Sequence, residues 1–515
     1  MQGGGVGVAG AAISRRQMRF LVGVAVVLLF GAILTALNVY ELHRLTKEHW
    51  SRDHLPGEPL AEARGAAHYE RPVAWVRGNK KGSGYLMHVT NVFHRLGYEL
   101  SEDGGDWDVL WSHNYPFREL KEKMTKLKPH QRVNHFPGSG FITNKVNLAT
   151  SGLPFIPRAF RMPQEKEDLL RHAKLHSDLL FVQKSNNHRG IKIEKLDALD
   201  LGADGSFVQE FVHNPLLVDG YKFDIGVYTI VTSIQPLRVY IYEGDVLFRF
   251  CPVKYHPFDP EVRDKYVVGD DYLPTWKVPS LAKYYKDLGF GMKRSFDAWL
   301  KSQDKDSEVV WDAVREAIRN VFYGKEMALV QATSHYPRST NFFEMMRIDF
   351  VIDDQLKVHL MEANMSPNLS SSHFKENRLL YEQVVFNLLS LVGVGRAVHS
   401  ASLAPSSQEE AEMQAAQKDV MVFPEHCAVS CSLERACDKV ECQLCKPCLS
   451  SEQQEDLTRA FLEHQRRGMC RRVVPPSIQH HHAHEPANMS GLSPENTLLT
   501  EWFRGQCLLD QALCS

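Results

Sequence analysis

Apolar and polar positions along the chain change period several times, and the changes mark its parts. Phe20–Leu37 is a run of 18 residues without a charged or strongly polar side chain. Wound as a helix it would rise roughly 27 Å, close to the ~30 Å hydrocarbon core of a bilayer. A cleaved leader has a shorter apolar stretch of about 7–15 residues, so the run reads as a retained transmembrane anchor behind an N-terminal tail, 1–19. Residues 38–70 are polar and helix-prone, a stalk, and the body follows from 71 to 398. Within the body, Asp106–Trp111 alternates as a half-buried strand. Pro163–His176 carries Leu169, Leu170 and Ala173 on one face of a helix, and Leu179–Lys184 returns to strand. Val239–Tyr242 and Val246–Phe250 flank Glu243-Gly244-Asp245 and predict a hairpin. Met346–Ile352 and Leu356–Glu362 flank Asp353-Asp354-Gln355 and predict a second. Tyr381–Val394 closes the body as an apolar helix. A shift toward Ser, Ala, Glu and Gln marks a linker, 399–425, ahead of a C-terminal module, 426–515.

Composition changes this picture mainly through cysteine. Nine of the ten cysteines lie between Cys427 and Cys514, leaving Cys251 alone in the body. The order Cys427-x3-Cys431-x5-Cys437-x4-Cys442-x2-Cys445-x2-Cys448 suits either a disulfide-stapled module or a zinc site on Cys442, Cys445 and Cys448. The irregular spacings point to disulfides, the two C-x2-C steps to zinc. His480-His-His-Ala-His484 reads as a solvated low-complexity tract. The net charge of -2 over 515 residues offers no general basic surface for nucleic acid.

Charge also orients the anchor. Arg15, Arg16 and Arg19 crowd its N-side, whereas Arg44, Lys47 and Arg52 are spread beyond it. A single-pass type II arrangement is therefore expected, with the body lumenal or extracellular and a cytosol-facing body as the alternative. Asn364-Met-Ser366, Asn368-Leu-Ser370 and Asn488-Met-Ser490 are glycosylation sequons. Asn488 is the one expected to be used on the lumenal side.

The second predicted hairpin carries the candidate chemistry. Side chains two apart on a strand share a face, so Glu362 and Asn364 project together, and a tight turn brings Asp349 roughly opposite Glu362. Two carboxylates and an amide oxygen make a hard, oxygen-only site suited to Mg²⁺ carrying phosphate. Ahead of it Lys145, Lys184, Lys222 and Arg249 each place a cation on a β-like background. A nucleoside triphosphate requires such cations along its phosphates.

The segments VNHFPG…NKVNLA, FVQKS, QEFVHNPLLVDGYKFDIGVYTIVTS, LRVYIY…FRF and IDFVID…LKVHLMEAN…P, in that order, resemble the tubulin tyrosine ligase-like family of ATP-grasp amino-acid ligases. The resemblance covers roughly residues 71–398 and implies an α+β ATP-grasp body with an N-terminal subdomain. Nucleotide would lie between two β-rich lobes. The implied reaction uses ATP and Mg²⁺ to activate a protein glutamate carboxylate as an acyl phosphate. The amine of a free amino acid, commonly glutamate, then attacks it. A glutamate-rich segment of tubulin is the family's default acceptor.

Carried over residue by residue, the resemblance assigns Lys184, Arg189, Gly190, Gln209, Glu210 and Phe211 to the nucleotide. Lys222, Asp224 and Arg249 would orient the phosphate and the acceptor, Lys145 would sit near the reaction centre, and Asp349, Glu362 and Asn364 would hold Mg²⁺. Three departures accompany the match. Gly226 stands where the family's K-F-D-[LI]-R motif has arginine. The loop after Lys184 is short, with Gly190 its only glycine, and Lys265–Trp276 replaces the family's "HLTN" segment. The first two departures motivate a second function, an ATP-binding but catalytically weak anchored interaction protein.

Overall fold

β-Branched and aromatic runs build three sheets in the body. The computed structural model describes residues 71–78, 84–185, 191–395, 413–431, 437–439 and 442–514. The expected anchor Phe20–Leu37, the tail and the stalk fall outside these, as do Arg189 and Gly190. Among the described residues no helix is long and apolar enough to cross a membrane.

The first sheet joins β1 (Val73–Arg77), β2 (Glu99–Ser101), β3 (Val109–Ser112) and β4 (Arg132–Val133) in the order β2-β1-β3-β4, all parallel. Parallel neighbours need a crossover. The helix Met87–Arg95 provides one, burying Val89, Val92 and Phe93. The second sheet is antiparallel, with β5 (Ala159–Arg161), β6 (Phe181–Ser185), β7 (Lys192–Glu194) and β8 (Ser206–Glu210) in the order β5-β8-β6-β7. The amphipathic helix between β5 and β6 begins at Lys166 rather than Pro163 and buries Leu169 and Ala173 as its pattern predicts.

The third sheet holds β9 (Leu217–Val218), β10 (Tyr221–Ile234), β11 (Leu237–Tyr242), β12 (Leu247–Phe250), β13 (Leu273–Pro274), β14 (Glu344–Ile352), β15 (Val358–Asn364) and β16 (Cys470–Val474). Its spine is β10. One edge of β10 pairs with β14, and the other pairs with β11 and then β12, end to end. The hairpin expected around Glu243-Gly244-Asp245 is therefore absent: the two runs lie along one strand and not against each other. The interruption loops out because Asp245 is recruited elsewhere. Its carboxylate accepts from the backbone N–H of Met292 at 2.9 Å and of Lys293 at 2.7 Å, capping the helix Met292–Lys301.

Alternation along β10 divides the sheet into an apolar and a polar face. Phe223, Ile225 and Val227 point into the core, where the Phe223 ring lies 5.1 Å from Phe250 and 5.6 Å from Phe296. Beneath them the helix Glu308–Thr333 lays down Val310, Val314, Ala317, Ile318 and Val321 at helical spacing, all buried. The opposite face, which carries Asp224 and Gly226, is left for chemistry.

The C-terminal segment is built into this body. β16 extends the third sheet beside β11. The helix Ser451–Arg466 aims Glu463 at Arg238, with Nε at 2.9 Å and Nη2 at 3.1 Å. Thr232 and Tyr240 donate to the same carboxylate at 2.8 and 3.1 Å. A separate apolar cluster, with Val422, Leu457, Trp502 and Phe503, sits behind. The cysteines form disulfides Cys427–Cys445, Cys431–Cys442, Cys437–Cys448 and Cys507–Cys514, leaving Cys251 and Cys470 as buried thiols. The zinc alternative required Cys442, Cys445 and Cys448 together, and each is bonded to a different partner.

Arg238 is 2% exposed, so removing Glu463 leaves a buried guanidinium without its counter-charge. Glu463→Ala is expected to destabilise the protein by about 3–5 kcal/mol, read from its urea unfolding midpoint at unchanged slope, with Glu463→Gln milder.

Candidate functional site

The hairpin β14–β15 forms with Asp349 opposite Glu362 and Arg347 opposite Asn364. The register shifts by one residue between Asp349 and Phe350, so that Phe350 faces Leu360. This bulge at Met361 allows Leu360 to enter the core while Glu362, only two residues on, joins the opposite face. Cross-strand pairing then gathers the site. Asp224 opposes Arg249 and Gly226 opposes Asp349, so one polar face displays Asp224, Arg249, Arg347, Asp349, Glu362 and Asn364.

Asp349 lies at the centre and is 2% exposed, which makes each of its lone pairs costly to leave unmet. Its Oδ1 accepts from Arg347 Nε at 2.7 Å. Its Oδ2 accepts from Arg347 Nη2 at 2.9 Å, Arg249 Nη2 at 2.9 Å and Asn364 Nδ2 at 3.1 Å. Arg249 is also forked onto Asp224, both contacts at 2.8 Å. Burial disfavours the charged form of Arg347, but the Asp349 carboxylate more than offsets it and holds the guanidinium cationic.

Glu362 meets Lys145 Nζ at 2.7 Å and the Asn364 amide at 3.2 Å. Burial opposes its ionisation. The Lys145 ammonium and the amide outweigh that and keep the carboxyl at about 2. Lys145 opens the short helix Lys145–Ala149, which Asn144 caps through a bond to Asn147 N at 3.0 Å. The preceding loop is tied to β14 by the buried pair His135–Glu344, 2.7 Å apart, and by Phe136 N donating to the same carboxylate at 3.0 Å. Beside Lys145 and Asn364 a cleft of about 680 Å³ opens, lined also by Gly138, Phe141, Asn144 and Ser366.

The second sheet supplies the other wall. Lys184 Nζ donates to Gln209 Oε1 at 3.1 Å, and Gln209 is anchored on Pro157 O at 3.1 Å. Burial pushes the Lys184 ammonium down to about 8, with Lys145 and Lys222 acting the same way and Glu362 opposing them. Lys222 donates to Tyr266 O at 3.1 Å, and the Phe211 ring packs 5.8 Å from Phe258. Glu210 turns the other way, to His172 Nε2 at 2.6 Å, so it does not join Gln209. Arg347 was missed by the sequence reading. The same two-residue periodicity that linked Glu362 to Asn364 also set Arg347 beside Asp349.

The donor set fits a divalent cation. Two carboxylates converge with an amide that presents its oxygen on half a turn about its last bond, and the surrounding cations suit the phosphates such an ion carries. A polyphosphate beside Lys184 favours its charged form, whereas above its pKa the unliganded lysine is mostly neutral. Binding of Mg-ATP at about pH 8.5 is thus expected to take up a proton, seen by titration calorimetry in two buffers of different ionisation enthalpy and lost in Lys184→Met. Buffer-independent heats in the parent protein would remove Lys184 from the phosphate site.

Comparison with known proteins gives the family. Residues 121–400 match the model of the tubulin-tyrosine ligase family. The probable tubulin polyglutamylase ttll-15 of Caenorhabditis elegans is 43% identical over 458 residues, covering 86% of this chain and 87% of that protein. The tubulin polyglutamylase TTLL6 of Mus musculus is 25% identical over 329 residues, 60% of this chain and 39% of its own length. The tubulin monoglutamylase TTLL4 of Homo sapiens is 27% identical over 328 residues, 59% of this chain and 26% of its own.

Proposed function

The chain belongs to the tubulin-tyrosine ligase family, and from that premise we propose that it is an ATP-dependent ligase joining glutamate to glutamate side chains of a protein acceptor. The observation that carries this reading is the single sheet face on which Asp349, Glu362, Asn364 and Arg249 meet, with Lys145 reaching in from the side. The relatives' names, polyglutamylase and monoglutamylase, supply the amino acid.

In this mechanism Lys184 and Lys222 neutralise the phosphates of ATP, while Gln209 and Phe211 border the base. Asp349, Glu362 and the Asn364 amide would hold Mg²⁺, which would supply positive charge to offset that of the phosphates. Arg249, steadied by Asp224, faces the phosphate being transferred. Lys145, at the mouth of the cleft, orients the acceptor carboxylate. That carboxylate attacks the γ-phosphorus and ADP leaves, giving an acyl phosphate. The amine of free glutamate attacks the acyl carbon, inorganic phosphate departs, and the nitrogen loses a proton. No side-chain nucleophile takes part. The rate comes from alignment and from neutralising charge.

The disulfides support a choice of compartment. Bridges of this number persist where thiols are oxidised. We assign the body to the lumenal or extracellular side, held by Phe20–Leu37. The sequons are consistent with this side: Asn488 is exposed, whereas Asn364 is turned inward to Asp349 and Glu362. The acceptor is then a glutamate-rich segment displayed on that side. Tubulin, the substrate in the relatives' names, comes within reach only of a cytosol-facing body.

Full-length protein with Mg-ATP and radiolabelled glutamate is expected to label a glutamate-rich peptide, and Asp349→Ala or Glu362→Ala to lower the rate at least 100-fold. Nucleotide binding by the parent protein without label in peptide or microtubules would instead make it a binding protein. For the compartment, glycosidase treatment is expected to shift the mobility of the cellular protein, and Asn488→Gln to abolish the shift. An unglycosylated Asn488 would move the body to the cytosol.

A further inference from the structure

Gly226 sits inside β10, where glycine weakens a strand by roughly 0.5–1 kcal/mol relative to alanine. Its φ is not in the left-handed region, so backbone freedom does not explain it. Space does. A Cβ at 226 would lie 2.6 Å from Arg347 Cδ, 3.0 Å from Nε and 3.2 Å from Cγ. The register explains the approach: Gly226 opposes Asp349, Tyr228 opposes Arg347, and the Arg347 side chain leans diagonally across the neighbouring strand over the bare glycine.

We infer that Gly226 and Arg347 are an exchanged pair, in which Arg347 passes its guanidinium through the space left by glycine and joins Arg249 as a second cation for the terminal phosphate of ATP. The inference rests on the ligase reading above. Arg249, which faces the same phosphate, divides its charge between two carboxylates, with Nε and Nη2 on Asp224 and Nη2 shared with Asp349, whereas Arg347, among the described residues, meets Asp349 alone. Arg347 presents Nε and Nη2 to Asp349, and among the described residues its Nη1 engages no acceptor. It is also the arginine nearest to where a side chain at 226 would begin. Held against Asp349, a carboxylate of the candidate metal set, it brings its charge beside the residues that would hold the metal. The missing arginine at 226 is therefore no sign of an idle site, because the same charge enters from the adjacent strand.

The exchange can be reversed. Full-length Arg347→Gly and Arg347→Gln, the latter keeping the stem over Gly226, are compared with the double variant Gly226→Arg/Arg347→Gly. The readouts are Kd for Mg-ATP and Mg-ADP, the glutamate incorporation rate and the thermal midpoint. Both single variants are expected to weaken ATP at least tenfold while ADP stays within about twofold, and to slow turnover about 10²–10³-fold. The double variant is expected to regain the ATP-over-ADP preference and at least a tenth of the turnover.

A merely structural Arg347 would change the thermal midpoint but not the ATP-to-ADP ratio, and an unchanged ratio in folded Arg347→Gln overturns the proposal. So does a double variant with the parent's thermal midpoint but no recovered preference. If the parent protein binds ATP but ligates nothing, the ligase reading fails, and the affinity ratios still decide the role of Arg347.

Discussion

The molecule is organised around one buried carboxylate. Asp349 is nearly sealed from water and receives four hydrogen bonds from Arg347, Arg249 and Asn364. A charge so placed must be matched on every side, because desolvation costs more than any single contact returns. That requirement binds four strands together: β14 carries the acid, β12 and β15 bring donors, and β10 lies between β12 and β14 with Asp224 and a glycine. Three further groups, Glu362, Lys145 and Lys184, form an outer layer; burial lowers the Lys184 ammonium, and the Lys145 ammonium keeps Glu362 ionised.

Such a cluster suits phosphoryl chemistry because it is rigid before substrate arrives. Nothing in the proposed reaction needs a nucleophilic side chain. It needs cations at fixed places and carboxylates that remain ionised. The fold provides rigidity by setting the polar face of the third sheet directly over a closely packed apolar one. There Phe223, Phe248, Phe250 and Phe296 leave the strands little freedom to shift. The tail reinforces the same sheet from its far edge, through β16 and through Glu463 buried against Arg238. The C-terminal segment and the candidate site thus share one sheet, while the disulfides lie in separate small clusters behind it.

Much of this was legible along the chain. Strand alternation placed Glu362 with Asn364 and opposite Asp349, and motif order identified the ATP-grasp body, because both depend on residues near one another or in fixed succession. Alternation also puts Arg347, two residues before Asp349, on the same face, but its reach over Gly226 depends on the neighbouring strand. The expected hairpin at 239–250 failed for a different reason. Local polarity marks a chain reversal and a looped-out cap in the same way, and only the need of a distant helix for Asp245 distinguishes them.

The sequence by itself determined the inventory: the carboxylates and the amide of the candidate metal site, the lysines, the family, and cysteines enough for either bridges or zinc. Tertiary structure decided the pairings. It matched each of Cys442, Cys445 and Cys448 with a different partner, turned Glu210 away from Gln209, and laid Arg347 across Gly226. These outcomes depend on which strand lies beside which, and on whether a bulge at Met361 flips a face. They are settled by packing and charge balance among residues far apart in the chain, which no local period records.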